Sequence, residues 1–158
     1  MMRYGIPRYR LPEDLLDREI QDIFDVGVEF KPNQALGKQI TLDQLRKDGY
    51  EAVFLGIGAQ LSRQIPLQGA DSADVFRGVD FLSRVAEGEK IRLKDRLIVI
   101  GGGNVAVDAA LTAKRCGAKE VTVVCLEKRQ EMPAHSWEVE RALAEGVKPA
   151  FLTAPSAV

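Results

Sequence analysis

The sequence has 158 residues, enough for one ordinary domain or two small half-domains, and its 46% apolar and 28% charged residues exclude long disordered segments. The formal net charge of −1 argues against a nucleic-acid partner, because such a partner requires a concentrated basic face. No stretch approaches the roughly 18 apolar residues of a membrane span, and the start lacks a secretory signal, so we expect no membrane insertion and a cytoplasmic location.

Two helices are predicted in the first third of the chain. Residues 1–12 contain two Xaa-Pro steps and are expected to form a loop. The apolar residues of 13–26 fall on one helical face, with acidic residues in the first turn. Residues 28–31 are a candidate short strand. Thr41 is the expected N-cap of a short helix over 41–47.

A buried strand is predicted at residues 52–58, where the nearly continuous apolar run AVFLGIG leads into a glycine turn. Residues 65–74 carry proline, glycine and small polar residues, which indicates a linker or domain boundary. Residues 75–86 place apolar side chains along one stripe and are predicted to form an amphipathic helix.

Strands and helices alternate in the last part of the chain. We expect a strand at 96–100, a helix at 104–116, a strand at 120–126 and a helix over about 137–145. Short connections between alternating elements predict an α/β fold with a Rossmann-like, doubly wound parallel sheet and right-handed crossovers. A sheet of this kind binds ligands at the carboxyl ends of its strands.

A glycine motif connects the first of these strands to its helix. Gly101, Gly103 and Ala106 have the spacing G-x-G-x-x-A. The first glycine makes the tight turn, the second lets the backbone approach a pyrophosphate, and the third small residue lets the helix pack on the strand. The free N–H groups near Gly103, Asn104 and Val105 lie at the positive helix end and predict a site for the pyrophosphate of a dinucleotide.

An acidic residue follows the next strand. Glu127 stands where the fingerprint expects, about 20 residues on, a carboxylate that accepts hydrogen bonds from the adenosine ribose. Such a carboxylate repels a 2′-phosphate. Lys128 and Arg129 follow at once and are able to contact such a phosphate, so the sequence favours NAD(H) without excluding NADP(H). A solvated turn is an equally open interpretation of this basic pair.

Several other residues of chemically reactive or aromatic type are expected to have structural roles. His135, the single histidine, lies in an evident loop without a paired carboxylate, so a surface or helix-start role is expected. Asp108 is interpreted as a solvated or packing position and Trp137 as a packing residue. Cys116 and Cys125 match no metal or redox spacing and are expected to be reduced core residues. No metal site is predicted.

Five motifs in a fixed order carry a resemblance to a known family. They are residues 2–12 (MRYGIPRYRLP), 16–20 (LDREI), 50–59 (YEAVFLGIGA), 100–110 (IGGGNVAVDAA) and 131–134 (EMPA). Over nearly its whole length the chain resembles the glutamate synthase small-subunit family, within the pyridine nucleotide-disulphide oxidoreductase superfamily. That family is similar to the flavin-and-nicotinamide module of dihydropyrimidine dehydrogenase.

The resemblance implies a flavin-dependent oxidoreductase. In that family an inserted NAD(P)-binding domain interrupts an FAD-binding domain, and hydride passes from NAD(P)H to FAD and on to a partner subunit. Residues 1–69 are then part of the FAD-binding domain and residues 70–158 most of the NAD(P)-binding Rossmann domain. The FAD fingerprint would precede Met1 and a further strand would follow Val158, so we expect the chain alone to be inactive. No catalytic residue is assigned, because the two cofactors carry the chemistry.

The resemblance also assigns FAD contacts to individual residues. Arg10, in the Arg-Leu-Pro motif, is expected near the FAD phosphates, and Leu36 near the adenine. Gly56, Gly58 and Ala59 belong to a turn expected to touch the FAD.

The same resemblance places Gly102, Gly103, Asn104 and Val105 on the pyrophosphate turn of the nicotinamide cofactor. The sequence departs from the family at residues 126–127. Many members have two basic residues there, whereas this chain has leucine and glutamate. The departure agrees with the preference for NAD(H).

The sequence also allows a second function and a self-associated state. A non-catalytic nucleotide-binding or subunit-docking module would use the same turn to sense a nucleotide or bind a partner. A homodimer would cover exposed sheet edges, because unpaired edges invite pairing.

Overall fold

The computed structural model describes residues 1–59, 61–62 and 65–157, and the remaining four positions lie outside the described residues. Five α-helices, three strands and one 3-10 helix occur in the described chain. In chain order they are α1 (Glu13–Asp25), α2 (Leu42–Lys47), α3 (Gly78–Ala86), β1 (Arg96–Ile100), α4 (Asn104–Arg115), β2 (Glu120–Val124), the 3-10 helix (Arg129–Glu131), α5 (Ser136–Ala144) and β3 (Lys148–Ala150).

The three strands form a parallel sheet in the order β1-β2-β3. Leu97 pairs with Val121, and Val123 pairs with Pro149. Helix α4 connects β1 to β2, and α5 connects β2 to β3. The predicted α/β fold with a parallel sheet is therefore confirmed, and β1 begins and ends at the predicted residues.

The core lies between the sheet and its helices. Helix α4 packs on β1, β2, α3 and α5, and its run of alanines lets these neighbours approach closely. The buried apolar residues include Phe81, Leu82, Val107, Ala110, Leu111, Val121, Val123, Val139, Ala142 and Val147. Ile98 is 71% exposed on β1, so part of that strand lacks a covering layer in the described chain.

The predicted helices form, with small shifts at their ends. Thr41 is the N-cap of α2, and its hydroxyl accepts a hydrogen bond from the Gln44 N–H at 3.1 Å. Helix α3 begins at Gly78 instead of residue 75. The backbone turns just before it, where the Val75 N–H donates to the Ser72 carbonyl at 3.0 Å, so these residues do not join the helix.

Two predicted strands are wrong. Residues 52–58 and 28–31 form no strand, and Phe54, predicted to be interior, is 95% exposed. A strand requires a neighbouring strand to take up its backbone N–H and C=O groups. No described residue pairs with either segment as a ladder, so the apolar run at 52–58 stays irregular despite its composition.

Strand β3 has no counterpart among the predicted elements. It is three residues long and contains Pro149, which composition rules place outside most strands. Proline is tolerated there because β3 lies at the edge of the described sheet.

The two cysteines differ in their surroundings. Both thiols are free, as expected, and Cys125 is buried at the end of β2. Cys116 was expected in the core but is exposed, at the C-cap position where α4 ends and the chain turns towards β2.

The described residues form two compact units. One comprises Met1–Pro12 with the described part of Gln60–Val158, and the other comprises Glu13–Ala59. The functional boundary near residue 69 stays a prediction, because packing and cofactor assignment are different properties. Within the described chain, no helix has both the length and the apolar character that a membrane span requires.

Candidate nucleotide-binding site

The glycine motif forms a tight turn between β1 and α4. Gly101 has φ +132°, a backbone conformation that residues other than glycine rarely adopt. Its N–H donates to the Val124 carbonyl at 2.9 Å. A Cβ placed on Gly101 would lie 3.5 Å from the Ala106 Cβ. The first and third motif positions therefore have structural reasons to be small.

Gly103 differs from Gly101 because neither its backbone nor its neighbours require glycine. Its φ is −91°, and a Cβ placed on it would meet no heavy atom within 4 Å. Gly103 is the N-cap of α4 and provides no side-chain cap. In the described chain, the N–H groups of Gly103, Asn104 and Val105 have no acceptor. Open space beside unpaired N–H groups at a helix N-terminus is the arrangement that binds anions.

Glu127 reaches back to this turn from the end of β2. A Cβ placed on Gly102 would lie 2.8 Å from Glu127 Oε2 and 3.3 Å from the Cys125 Cβ. The carboxylate thus lies against the backbone of Gly102, at the carboxyl ends of the two adjacent strands β1 and β2. This is the position from which a carboxylate can accept hydrogen bonds from a ribose.

The basic pair follows in a short helical segment. Lys128 is the N-cap of the 3-10 helix, which begins at Arg129. Arg129, His135 and Ser136 are among the residues that line a cavity of about 350 Å³. Arg129 thus lies beside a space large enough for a small polar group.

The segment after the 3-10 helix is hydrogen-bonded to the glycine turn and to the start of α4. The Ala134 N–H donates to the Gly102 carbonyl at 3.0 Å, and the His135 N–H donates to Asn104 Oδ1 at 3.1 Å. His135 immediately precedes α5, and its ring stacks on Trp137 with a centroid distance of 6.3 Å. The sequence did not predict these hydrogen bonds, because they join residues separated along the chain by α4 and β2.

A cluster of charged side chains joins α4 to α5. Arg10 Nη1 donates to Asp108 Oδ2 at 2.6 Å, and Arg10 Nη2 lies 2.7 Å from Glu138 Oε1. Asp108 also accepts a hydrogen bond from the Tyr9 hydroxyl at 3.0 Å. Asp108 and Glu138 are 6% and 3% exposed. Glu138 was not singled out from the sequence; the available signal was an acidic residue at an apolar-face position of a helix.

The pKa of Tyr9 reflects its burial beside Asp108. Burial, followed by the charge of Asp108 and the hydrogen bond to it, raises the pKa of the Tyr9 hydroxyl well above its ordinary value. The guanidinium of Arg115 lies 3.8 Å from the Tyr9 ring centroid, and that of Arg141 lies 4.9 Å from it. The hydroxyl therefore stays neutral and acts as a hydrogen-bond donor.

Comparison with known proteins gives the family. Residues 13–156 match the pyridine nucleotide-disulphide oxidoreductase family. The chain belongs to this family. The resemblance inferred from the five sequence motifs is confirmed.

Three curated proteins similar to the chain carry oxidoreductase names. The chain is 42% identical over 161 residues to the NADP(+)-dependent formate dehydrogenase subunit beta of Moorella thermoacetica, covering 100% of this chain and 23% of that protein. It is 40% identical over 148 residues to the NAD-dependent dihydropyrimidine dehydrogenase subunit PreT of Escherichia coli, covering 92% and 35%. It is 32% identical over 168 residues to the Escherichia coli NADPH glutamate synthase small chain, covering 98% and 35%.

A solved structure supports the fold. FprA from Mycobacterium tuberculosis in complex with NADPH is 19% identical and matches with a TM-score of 0.69. The match covers 92% of this chain and 38% of FprA. The chain therefore shares the Rossmann-type α/β fold of this structure, and it spans about a quarter to a third of the length of the relatives named above.

The residues assigned to FAD fall in both compact units. Arg10 belongs to the unit that contains the sheet, and its side chain is 24% exposed while two of its nitrogens face carboxylates. Leu36, Gly56, Gly58 and Ala59 belong to the other unit and are exposed. Gly58 adopts φ +69°, as a glycine turn requires. Their role in binding FAD stays a prediction.

Proposed function

We propose that the chain binds a nicotinamide dinucleotide at the turn formed by Gly101–Ala106, with the pyrophosphate beside Gly103. One observation carries this proposal: neither the φ of Gly103 nor any neighbouring atom requires glycine, and the open space beside its backbone would admit the pyrophosphate. The unpaired N–H groups of Asn104 and Val105 would donate to the pyrophosphate oxygens.

We further propose that this nucleotide is NAD(H) in preference to NADP(H). Glu127 would accept hydrogen bonds from the adenosine ribose hydroxyls, and its negative charge would repel a 2′-phosphate. Lys128 and Arg129 are the residues that would oppose this preference. The relatives carry both kinds of name, NADP-dependent and NAD-dependent, so the preference rests on this chain's own residues.

The whole protein is proposed to be an oxidoreductase that passes hydride from the nicotinamide to FAD. When bound, FAD supplies the hydride-accepting ring, and this chain's residues bind and orient the two cofactors. Arg10, Leu36, Gly56, Gly58 and Ala59 are proposed to contribute to FAD binding. The named relatives carry subunit or chain names, which supports a role for this chain as a glutamate synthase small-subunit-like protein that delivers the electrons to a partner subunit.

The nucleotide site is tested by calorimetric titration of the chain with NADH and NADPH. A Glu127→Arg variant should bind NADPH more tightly than NADH and so reverse the preference of the unchanged chain. Glu87→Arg is the matched control, because it makes the same charge change at an exposed helix end. Equal affinity for both nucleotides in every variant would contradict the role of Glu127. No binding of either nucleotide by the unchanged chain would contradict the site.

A non-catalytic nucleotide-binding or docking module is the second candidate, favoured by the exposure of the apolar residues Phe54 and Ile57. The two functions differ in one measurement. A polypeptide of the relatives' length that contains this chain should reduce FAD on addition of NADH if the first proposal holds. Nucleotide binding without flavin reduction would favour the second.

Self-association through the sheet is a separate proposal. Strand β1 has one neighbour among the described strands, and Ile98 is exposed on it. A second copy would cover that edge and give a homodimer.

A further inference from the structure

Two sets of contacts join α4 to α5. Asn104 and Asp108 are four residues apart on α4 and therefore lie on the same face of the helix. Asn104 Oδ1 accepts the His135 N–H at 3.1 Å. One turn further along both helices, Arg10 lies between Asp108 and Glu138, at 2.6 and 2.7 Å. The second set is called the Arg10 bridge below.

In the Arg10 bridge, one guanidinium balances the negative charges of two buried carboxylates. Asp108 and Glu138 are buried, and within the described chain the Glu138 carboxylate has the ion-pair contact with Arg10 but no well-aligned hydrogen bond. The Arg10 guanidinium is the cation that lies within ion-pair distance of both carboxylates. Buried ion pairs seldom stabilise a fold more than apolar residues of the same size, and their best-attested use is to hold one arrangement of the chain. The bridge is thus better suited to orientation than to stability.

The arrangement that the Arg10 bridge holds includes the glycine turn. Helix α4 begins at Asn104, next to Gly103, and α5 begins just after His135. The Ala134 N–H donates to the Gly102 carbonyl, so the segment leading into α5 is hydrogen-bonded to the turn itself. A movement of α5 away from α4 would therefore displace contacts on Gly102 and Asn104, where the pyrophosphate is proposed to bind.

We infer that Arg10 and Glu138 are positioning residues for the nicotinamide-nucleotide site, and that they act by bridging α4 and α5 through Asp108. This inference rests on the proposed nucleotide site at Gly103. It is independent of any contact between Arg10 and FAD, because it requires only the two carboxylate partners and no flavin.

The test compares NADH affinity in four forms of the chain by calorimetry, together with thermal melting. Arg10→Met leaves the buried Asp108 and Glu138 carboxylates without their shared cation, so their mutual repulsion should separate the helices and NADH affinity should fall about tenfold. Adding Glu138→Gln removes that repulsion with little change in volume. The double variant should regain most of the lost affinity even if its melting temperature stays below that of the unchanged chain. Arg92→Met is the control for loss of an exposed arginine.

Rescue distinguishes positioning from a merely structural role. A double variant that melts lower and binds NADH no better than Arg10→Met would overturn the inference, and so would an Arg10→Met variant with the affinity of the Arg92→Met control. If Arg10→Met does not fold, Arg10→Lys replaces it, because lysine keeps the charge but has one nitrogen, whereas arginine places a separate nitrogen beside each carboxylate. Unchanged affinity in Arg10→Lys would then overturn the inference. Absence of NADH binding in the unchanged chain would instead overturn the proposed site.

Discussion

The carboxylate of Glu127 lies against Gly102, such that a Cβ on that glycine would be 2.8 Å from Glu127 Oε2. Gly102→Ala should therefore displace the carboxylate and weaken NADH binding about tenfold, the effect of losing a charge-assisted hydrogen bond. Stability should fall by only about 1 kcal/mol, because the carboxylate ends a flexible side chain. Calorimetry and thermal melting measure the two effects.

The control for this prediction is a double-mutant cycle with Glu127→Ala. If Gly102→Ala acts through the carboxylate, it should cause no further loss of NADH affinity once Glu127 is truncated. Additive losses would mean that the new methyl group disturbs the pyrophosphate directly.

Alanine at Gly101 should act mainly on stability, whereas alanine at Gly103 should act mainly on NADH binding. Gly101→Ala forces a side chain into φ +132° and should lower the free energy of unfolding by about 1–3 kcal/mol. Gly103→Ala should lower it by no more than about 1 kcal/mol, because the new methyl group enters open space and the remaining cost is that of a poorer N-cap. Gly103→Ala should nevertheless weaken NADH binding, because that space is proposed for the pyrophosphate. Full NADH affinity in Gly103→Ala would contradict the site.

Asp108→Asn should lower the free energy of unfolding by about 2 kcal/mol, because a buried acceptor loses the charge that pairs with Arg10. Chemical denaturation measures this change. Asp22→Asn is a suitable comparison, since Asp22 is exposed on α1 and its loss of charge should have little effect. Similar small effects in both variants would show that the Asp108 charge contributes nothing to the fold.

The Glu145 carboxylate should make stability depend on pH. Its hydrogen bonds to Arg115, at 2.6 and 3.1 Å, lower the pKa of Glu145 below its ordinary value. The stabilisation is therefore present above the unfolded-state pKa of about 4.3 and is lost as pH falls through the lower pKa of the folded state.

Glu145→Gln should accordingly reduce stability by at most about 1 kcal/mol between pH 6 and 8, since the pair is partly exposed. The difference from the unchanged chain should shrink as the solution is made more acidic. Thermal melts across pH measure it, with Glu140→Gln as the comparison at an exposed position of the same helix. A difference that grows in acid would contradict the assignment.

Self-association is tested by size-exclusion chromatography over a range of concentrations. A homodimer that pairs the β1 edges should dissociate on dilution, and Ile98→Lys should shift it to monomer, because a charge on the exposed edge strand opposes pairing. Thr122→Lys, on the central strand, tests whether the effect is specific to the edge. A monodisperse monomer at every concentration would count against the dimer.

Local sequence determined the elements whose partners are near in the chain. The unit from β1 through α4 to β2 formed in the predicted order, with β2 ending at Val124 instead of residue 126, because alternating apolar segments and a glycine turn need only their immediate neighbours to specify a βαβ unit. Glu127 was singled out for the same reason: its distance from the glycine motif along the chain sets its place at the end of the adjacent strand.

Only the tertiary structure decided the contacts made over long separations. Arg10 pairs with a residue 98 positions away, and no local pattern encodes that choice. Residues 52–58 have the composition of a buried strand but lack a strand partner in the described chain, whereas β3 forms despite its proline because β2 offers an open edge. Strand formation and charge burial both require a partner, and the partner is supplied by the fold, not by the segment's own composition.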